Sequence, residues 1–155
     1  MSDFSVRIAT VSDTESVAGL FNLYRQFYEQ PDDLALAKSF ISDRITQNES
    51  LIILAEAANG SPIGFCQLYP TFCSVEAKPI YSLYDLFVIP SHRECGAGHR
   101  LLAEAEIQAR INGKARMDLT TAKNNLKAQS VYESLGWVRD EVFYAYSKGI
   151  SQQLA

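Results

Sequence analysis

Apolar positions along the chain alternate between a period near two and one near 3.6, and that alternation sets out the elements. Residues 4–9 read as a strand, followed by Ser12 or Asp13 as a helix N-cap. Val17, Leu20, Phe21, Tyr24, Phe27 and Tyr28 then recur at helical spacing, and Pro31 stops the run. Asp32 or Asp33 can cap a second helix with Leu34, Ala37, Ile41 and Ile45 on its apolar face. Residues 51–57 and 62–69 read as strands joined at Asn59-Gly60, a hairpin signal, and Pro70 weakens continuation of the second. A further strand spans residues 80–89 and ends at Pro90. A Gly-containing loop then opens a helix with Leu101, Leu102, Ala105 and Ala109 on one face and Gly113 at its C-terminus. Residues 117–121 read as a strand, 125–135 as a short helix ending at Gly136, and 137–146 as one or two closing strands.

This order predicts a mixed α/β (α+β) fold: one mixed sheet with helices on its faces, in a single domain over residues 1–155. Its parallel part is the strand–helix–strand unit of residues 80–121. At 155 residues the chain is long enough to bury a full core without covalent staples.

Composition narrows the function. The formal net charge of −4 argues against nucleic acid or an anionic membrane as main partner, since both need clustered Lys and Arg. The three cysteines form no CxxC pair, and no signal peptide or membrane span is evident, which points to the cytoplasm and free thiols. Histidine and carboxylate spacings suggest no metal site.

The most informative stretch runs from Leu86 to His99. A buried strand feeds a loop containing Gly96 and Gly98, and a helix begins at once. Helix N-termini expose unpaired N–H groups and partial positive charge, and glycine lets the backbone approach a phosphate closely, so this geometry suits a diphosphate. Neither GxGxxG nor Gly-Lys-Ser/Thr is present, and an ordinary strand-to-helix turn uses the same residues. The second motif is Asn125-x-x-Ala128-x-x-x-Tyr132-x-x-x-Gly136-Trp137, whose helical spacing puts Ala128, Tyr132 and Leu135 on one face. Tyr132 there is either a packing residue or a hydroxyl presented to a cleft.

Together, Arg93-x-x-Gly96-x-Gly98 and the Asn125–Trp137 motif resemble the GCN5-related N-acetyltransferase (GNAT) superfamily, and the resemblance covers nearly the whole chain. Gly64-Phe65 with Leu68 is similar to the family's third strand. Leu83 to Val88 is similar to a branch holding the diamine acetyltransferases and many bacterial members of unassigned substrate. The resemblance implies a GNAT-type sheet of six to seven strands with about four helices. It implies acetyl-CoA as cosubstrate, with no metal, and transfer of the acetyl group to a primary amine. The backbone of Leu86, Phe87 and Val88 would hold the pantetheine arm. Arg93, Glu94, Cys95, Gly96, Ala97, Gly98 and His99 would wrap the diphosphate, and Asn125 and Ala128 would lie along the cofactor. Two departures stand out: Glu94, where many members have Gly, and Cys95.

The implied reaction is direct attack of a neutral amine on the thioester. A backbone N–H of Phe87 or Val88 would polarise the carbonyl, and Tyr132 would protonate the departing thiolate. Diamine acetyltransferases carry Glu where this chain has Tyr84, so the base does not transfer. Asp85 is the nearest carboxylate and is either catalytic or structural. Glu29, Asp32, Asp33 and Glu76 are more distant candidates, and a water chain is another route. Tyr24, Phe27, Tyr28, Tyr81 and Tyr84, with Phe72, are the expected substrate-pocket residues. The expected partner is a small-molecule amine. A peptide substrate and a non-catalytic acyl-CoA sensor are the alternatives, and a homodimer is compatible by analogy.

Overall fold

The computed structural model describes residues 3–153. Its elements are β1 (Phe4–Ile8), α1 (Thr14–Phe27), α2 (Leu34–Thr46), β2 (Leu51–Ala57), β3 (Pro62–Cys73), β4 (Lys78–Val88), α3 (Ala97–Ile111), β5 (Met117–Asp118) and α4 (Leu126–Ser134). The chain divides into a unit ending at Thr120 and a second beginning at Thr121.

In the first unit the sheet order is β1-β2-β3-β4-β5. The first four strands pair antiparallel, and β4 pairs parallel with β5 across the α3 crossover. One face carries α1 and α2. Val17, Ala18, Leu20, Phe21, Ala37 and Ile41 pack there on Ile52, Leu54, Phe65 and Phe87. Burying each large side chain contributes roughly 1.5–3 kcal/mol. The alternating strand residues Ile53, Ala55 and Cys66 are also fully buried. They point to the other face, where α3 buries Leu101, Leu102, Ala105 and Ala109.

Local signals set the ends. The Asp33 side chain accepts the Leu36 N–H and caps α2, while Asp32 accepts from Asn22 Nδ2 at 2.8 Å. A single 3₁₀ turn, Val11–Asp13, precedes α1, and Arg7 clamps the Asp13 carboxylate with two bonds of 2.7 Å. Gly60 turns the β2–β3 hairpin at φ +85°.

Three sequence expectations change. β3 runs through Pro70 to Cys73, because beyond Leu68 it has no β2 partner and a missing N–H on that edge costs no ladder bond. β5 is only two residues long. The closing strands expected over 137–146 are not formed, so the sheet has five strands rather than six to seven among the described residues. In that segment Val138, Val142, Phe143, Tyr144 and Tyr146 are exposed and pair with no ladder.

Candidate active site

β5 pairs with β4 only at Tyr81↔Met117 and Ser82↔Asp118. Past Ser82 that edge of β4 has left its parallel neighbour. The Ile89 N–H donates to Ile63 O at 2.9 Å, in register with Val88↔Gly64 and Phe87↔Phe65. Backbone groups alternate along an antiparallel ladder. Phe87 therefore turns its N–H toward β3, while Leu86 and Val88 present theirs to the open edge. Phe87 thus turns away from the edge where the backbone of Leu86, Phe87 and Val88 was expected to hold the pantetheine arm, and Leu86 and Val88 are the residues whose amides face outward. The Val88 carbonyl accepts Arg93 Nε at 2.9 Å. The Arg93 guanidinium lies 5.4 Å from the Phe27 ring centroid and 5.6 Å from that of Phe87.

The loop after β4 turns sharply. Glu94 takes φ +66°, a left-handed conformation in which the family pattern has glycine, and Gly96 takes φ +93° as the N-cap of α3. Cys95 Sγ donates to His92 O at 2.7 Å. The α3 N-cap, Gly96, has no side chain to offer the first turn. The amides of Ala97, Gly98 and His99 thus head the helix in the place where they lack intrahelical acceptors. A Cβ at Gly98 would meet no atom within 4 Å. A first turn with N–H donors, in which Ala97 is buried while Gly98 has open space beside it, fits the diphosphate of coenzyme A.

Beside the open edge lies a buried polar row under α1. Asp85 is 3% exposed and Gln67 fully buried. Gln67 Nε2 donates to Asp85 Oδ2 at 2.6 Å, and Ser50 Oγ donates to Gln67 Oε1 at 2.7 Å. Burial raises the Asp85 carboxyl above its ordinary value, opposed by hydrogen bonds from Gln67 and Tyr24. Desolvation, with the Asp85 charge next, raises the Tyr24 phenol, and the same two causes push Tyr69 up to about 12.

Tyr24, Tyr28 and Phe27 form an aromatic cluster with Phe65 and Phe87, with centroids 5.1 to 6.4 Å apart. Tyr84 is exposed and packs edge-on to Tyr69. Tyr81 does not join this cluster. It is buried, and its hydroxyl accepts Asn112 Nδ2 near the end of α3. Phe72 is 74% exposed toward the end of β3. Among the other carboxylates, Asp32 and Asp33 serve Asn22 and the α2 cap, and Glu76 pairs with Arg116 at 3.5 Å. Sequence reading missed Gln67 and Ser50. The available signal was one amide inside the otherwise apolar run of residues 63–68, since a buried polar group demands a partner.

In the second unit Asn125 caps α4, its Oδ1 accepting the Ala128 N–H at 3.2 Å. The Tyr132 ring packs on Trp137 at 6.0 Å, and Gly136 closes the helix at φ +90°. The asparagine of the motif thus has a local structural task. Among the described residues there is no metal-binding cluster, and no helix is long and apolar enough to cross a membrane.

A splayed β4 edge followed by a glycine-headed helix defines an acyl-CoA-type transferase fold. Residues 17–137 match the acetyltransferase (GNAT) family, and the chain belongs to it. It is 48% identical over 142 residues to "Uncharacterized N-acetyltransferase YhfO" of Bacillus subtilis, spanning 92% of this chain and 95% of that one. It is 29% identical over 123 residues to "Aminoglycoside N(6')-acetyltransferase type 1" of Salmonella typhimurium, spanning 76% of this chain and 81% of that one. A solved structure described as a probable acetyltransferase superposes with TM-score 0.89 at 35% identity, covering 96% of this chain and 99% of its own. The protein is therefore an acetyl-CoA-dependent N-acetyltransferase.

Proposed function

We propose that the chain acetylates a primary amine of a small molecule, with Asp85 as the base. The observation that carries this reading is a carboxylate only 3% exposed, set among aromatic side chains beside the open β4 edge. A buried carboxylate favours a cation, and an aromatic surround favours one with an apolar body. The aminoglycoside enzyme among the relatives supports the same substrate class.

Acetyl-CoA supplies a thioester. Ala97, Gly98 and His99 bind its diphosphate through their amides, and the Val88 N–H polarises the thioester carbonyl. Asp85 takes a proton from the ammonium, directly or through one water. The amine nitrogen then bonds the carbonyl carbon. As the carbon–sulfur bond breaks, Tyr132 protonates the sulfur, and one of the two protons left on the nitrogen goes to the phenolate, the other staying on the amide. One proton leaves to solvent through Asp85. The role of Tyr132 rests on the motif Asn125-x-x-Ala128-x-x-x-Tyr132. A phenol and a thiol have similar pKa values, so that transfer is not steeply uphill.

CoA release with acetyl-CoA and a panel of diamines, aminoglycosides, amino acids and peptides tests the assignment. Turnover of small amines is expected, and turnover of peptides alone overturns the substrate class. Tyr132→Phe is expected to lower kcat by about 10- to 1000-fold while leaving CoA affinity unchanged. Full activity in that variant removes the acid assignment.

A further inference from the structure

Asp85 is not alone on its face. Ser50, Gln67 and Asp85 stand in a row across three neighbouring segments: the residue before β2, then β3, then β4. The β3–β4 register shifts between Gln67 and Leu68, so that Gln67 pairs with Asp85 while Leu68 pairs with Leu83. Tyr84 is the extra residue. A β-bulge commonly re-aims a neighbouring side chain beside a site.

A buried amide can turn either end toward a carboxylate, and only the NH₂ end is attractive. The carboxylate, which only accepts, settles the choice, and the Ser50 hydroxyl then satisfies the carbonyl end. Gln67 Nε2 donates to Asp85 Oδ2 at 2.6 Å, and Oε1 on the far side accepts from Ser50 Oγ at 2.7 Å. A carboxylate offers about four lone-pair sites, so the Gln67 bond leaves capacity for Tyr24 and for an amine. The titratable groups that feel the Asp85 charge are Tyr24 on α1 and Cys66 and Tyr69 on β3; Tyr28 and Tyr84 neighbour Tyr24, and Arg44 on α2, Glu49 ahead of β2 and Tyr84 neighbour Tyr69. Of these, Tyr24 donates to Tyr84 O at 3.4 Å and lies near enough to Asp85 to favour its charged form, and Arg44 is paired with Glu49 at 3.1 Å.

We infer that Gln67, held at its carbonyl end by Ser50, is a positioning residue for the acetyl transfer: it anchors one oxygen of Asp85 and so sets the carboxylate to accept the proton of an incoming amine. The inference rests on the reading of Asp85 as base. Without the Gln67 bond, burial is opposed by Tyr24 alone, and the fraction able to accept a proton at neutral pH falls.

The test follows the Asp85 carboxyl by ¹³C NMR titration and measures the pH dependence of kcat/KM with acetyl-CoA and the small amine turned over fastest. In Gln67→Leu the carboxyl midpoint and the acid limb of the rate profile are both expected to move up by about 1 pH unit, a tenfold loss below the limb. In Ser50→Ala both are expected to move the same way by less. A carboxyl midpoint that stays at the wild-type value overturns the inference, and so does a midpoint that moves while the rate limb does not. If Gln67→Leu fails to fold, Ser50→Ala decides by the same two readouts. Asp85→Asn separates the two ideas. Persistence of the acid limb there removes the base assignment. Loss of that limb, together with an unmoved limb in Gln67→Leu, removes only the Gln67 role.

Discussion

At the scale of single residues, charge and burial explain most of what each polar group does. Asp13 illustrates a purely structural carboxylate. Its side chain accepts two bonds from Arg7 and the Thr10 N–H, each at 2.7 Å. Hydrogen bonding to Arg7, the largest cause, lowers its pKa from 3.8 to about 2. A lowered folded-state value means stability that is present above the unfolded pKa and lost as pH falls through the folded one. Arg7 is 44% exposed, which discounts the contribution to about 1–2 kcal/mol. Asp13→Asn is therefore expected to lower stability by that amount at pH 7, measured by urea denaturation. The gap from wild type closes as pH falls from about 4 to about 2. Asp85 is the contrary case, shifted upward by burial and held by neutral donors rather than by a cation. The two carboxylates do opposite work because one lies on an arginine fork and the other beneath aromatic rings.

At the scale of elements, the sequence was most legible where a backbone conformation demands a residue type. Gly60, Gly113 and Gly136 all end or turn an element at positive φ, as their spacing announced. Glu94 shows the same demand met by the wrong residue: the loop keeps a left-handed turn there, and the side chain is carried along. Where the rule is tertiary, the sequence fell silent. Pro70 looked like a strand end because nothing local reveals that β2 stops short of it. The Ser50–Gln67–Asp85 row depends on a register shift between β3 and β4 that no periodicity records. Gly64 belongs to the tertiary kind. A Cβ there would stand 2.8 Å from Phe87 O, 3.2 Å from Val88 Cγ2 and 3.4 Å from Leu101 Cδ1. The two side-chain atoms can yield a little, but the backbone oxygen cannot without shifting β4. Gly64→Ala is therefore expected to cost about 1–3 kcal/mol, a fall of several degrees in Tm. Because the displaced strand is the one presenting the Val88 amide, kcat/KM at a permissive temperature is expected to drop as well. Unchanged Tm and activity together would show that the strands are not held at this spacing.

At the scale of the whole molecule, what was legible was the order of elements and the family they spell. What was not legible was how far the sheet closes. The run Trp137 to Tyr146 is rich enough in aromatic and β-branched residues for a strand, yet a strand needs a partner edge, and composition alone does not supply one. The claim with the widest reach at this scale is that the head of α3 receives a diphosphate, because it sets where the thioester lies. Ligand that binds only the folded state stabilises it by about 2.7 kcal/mol at a hundred times its Kd. For a chain of 155 residues that corresponds to a rise in Tm of roughly 5–10 °C with coenzyme A. Gly98→Asp distinguishes site-specific protection from a general effect. The position has open space for a Cβ, and an acidic side chain in the first turn of a helix is favourable to the dipole. The apo variant should therefore melt no lower than wild type. The same carboxylate opposes a diphosphate at the amides beside it, so the coenzyme A shift should shrink to a small fraction of its wild-type value. A variant that keeps the full shift would place the diphosphate elsewhere, and a wild-type protein that shows none at millimolar coenzyme A would empty the α3 assignment altogether.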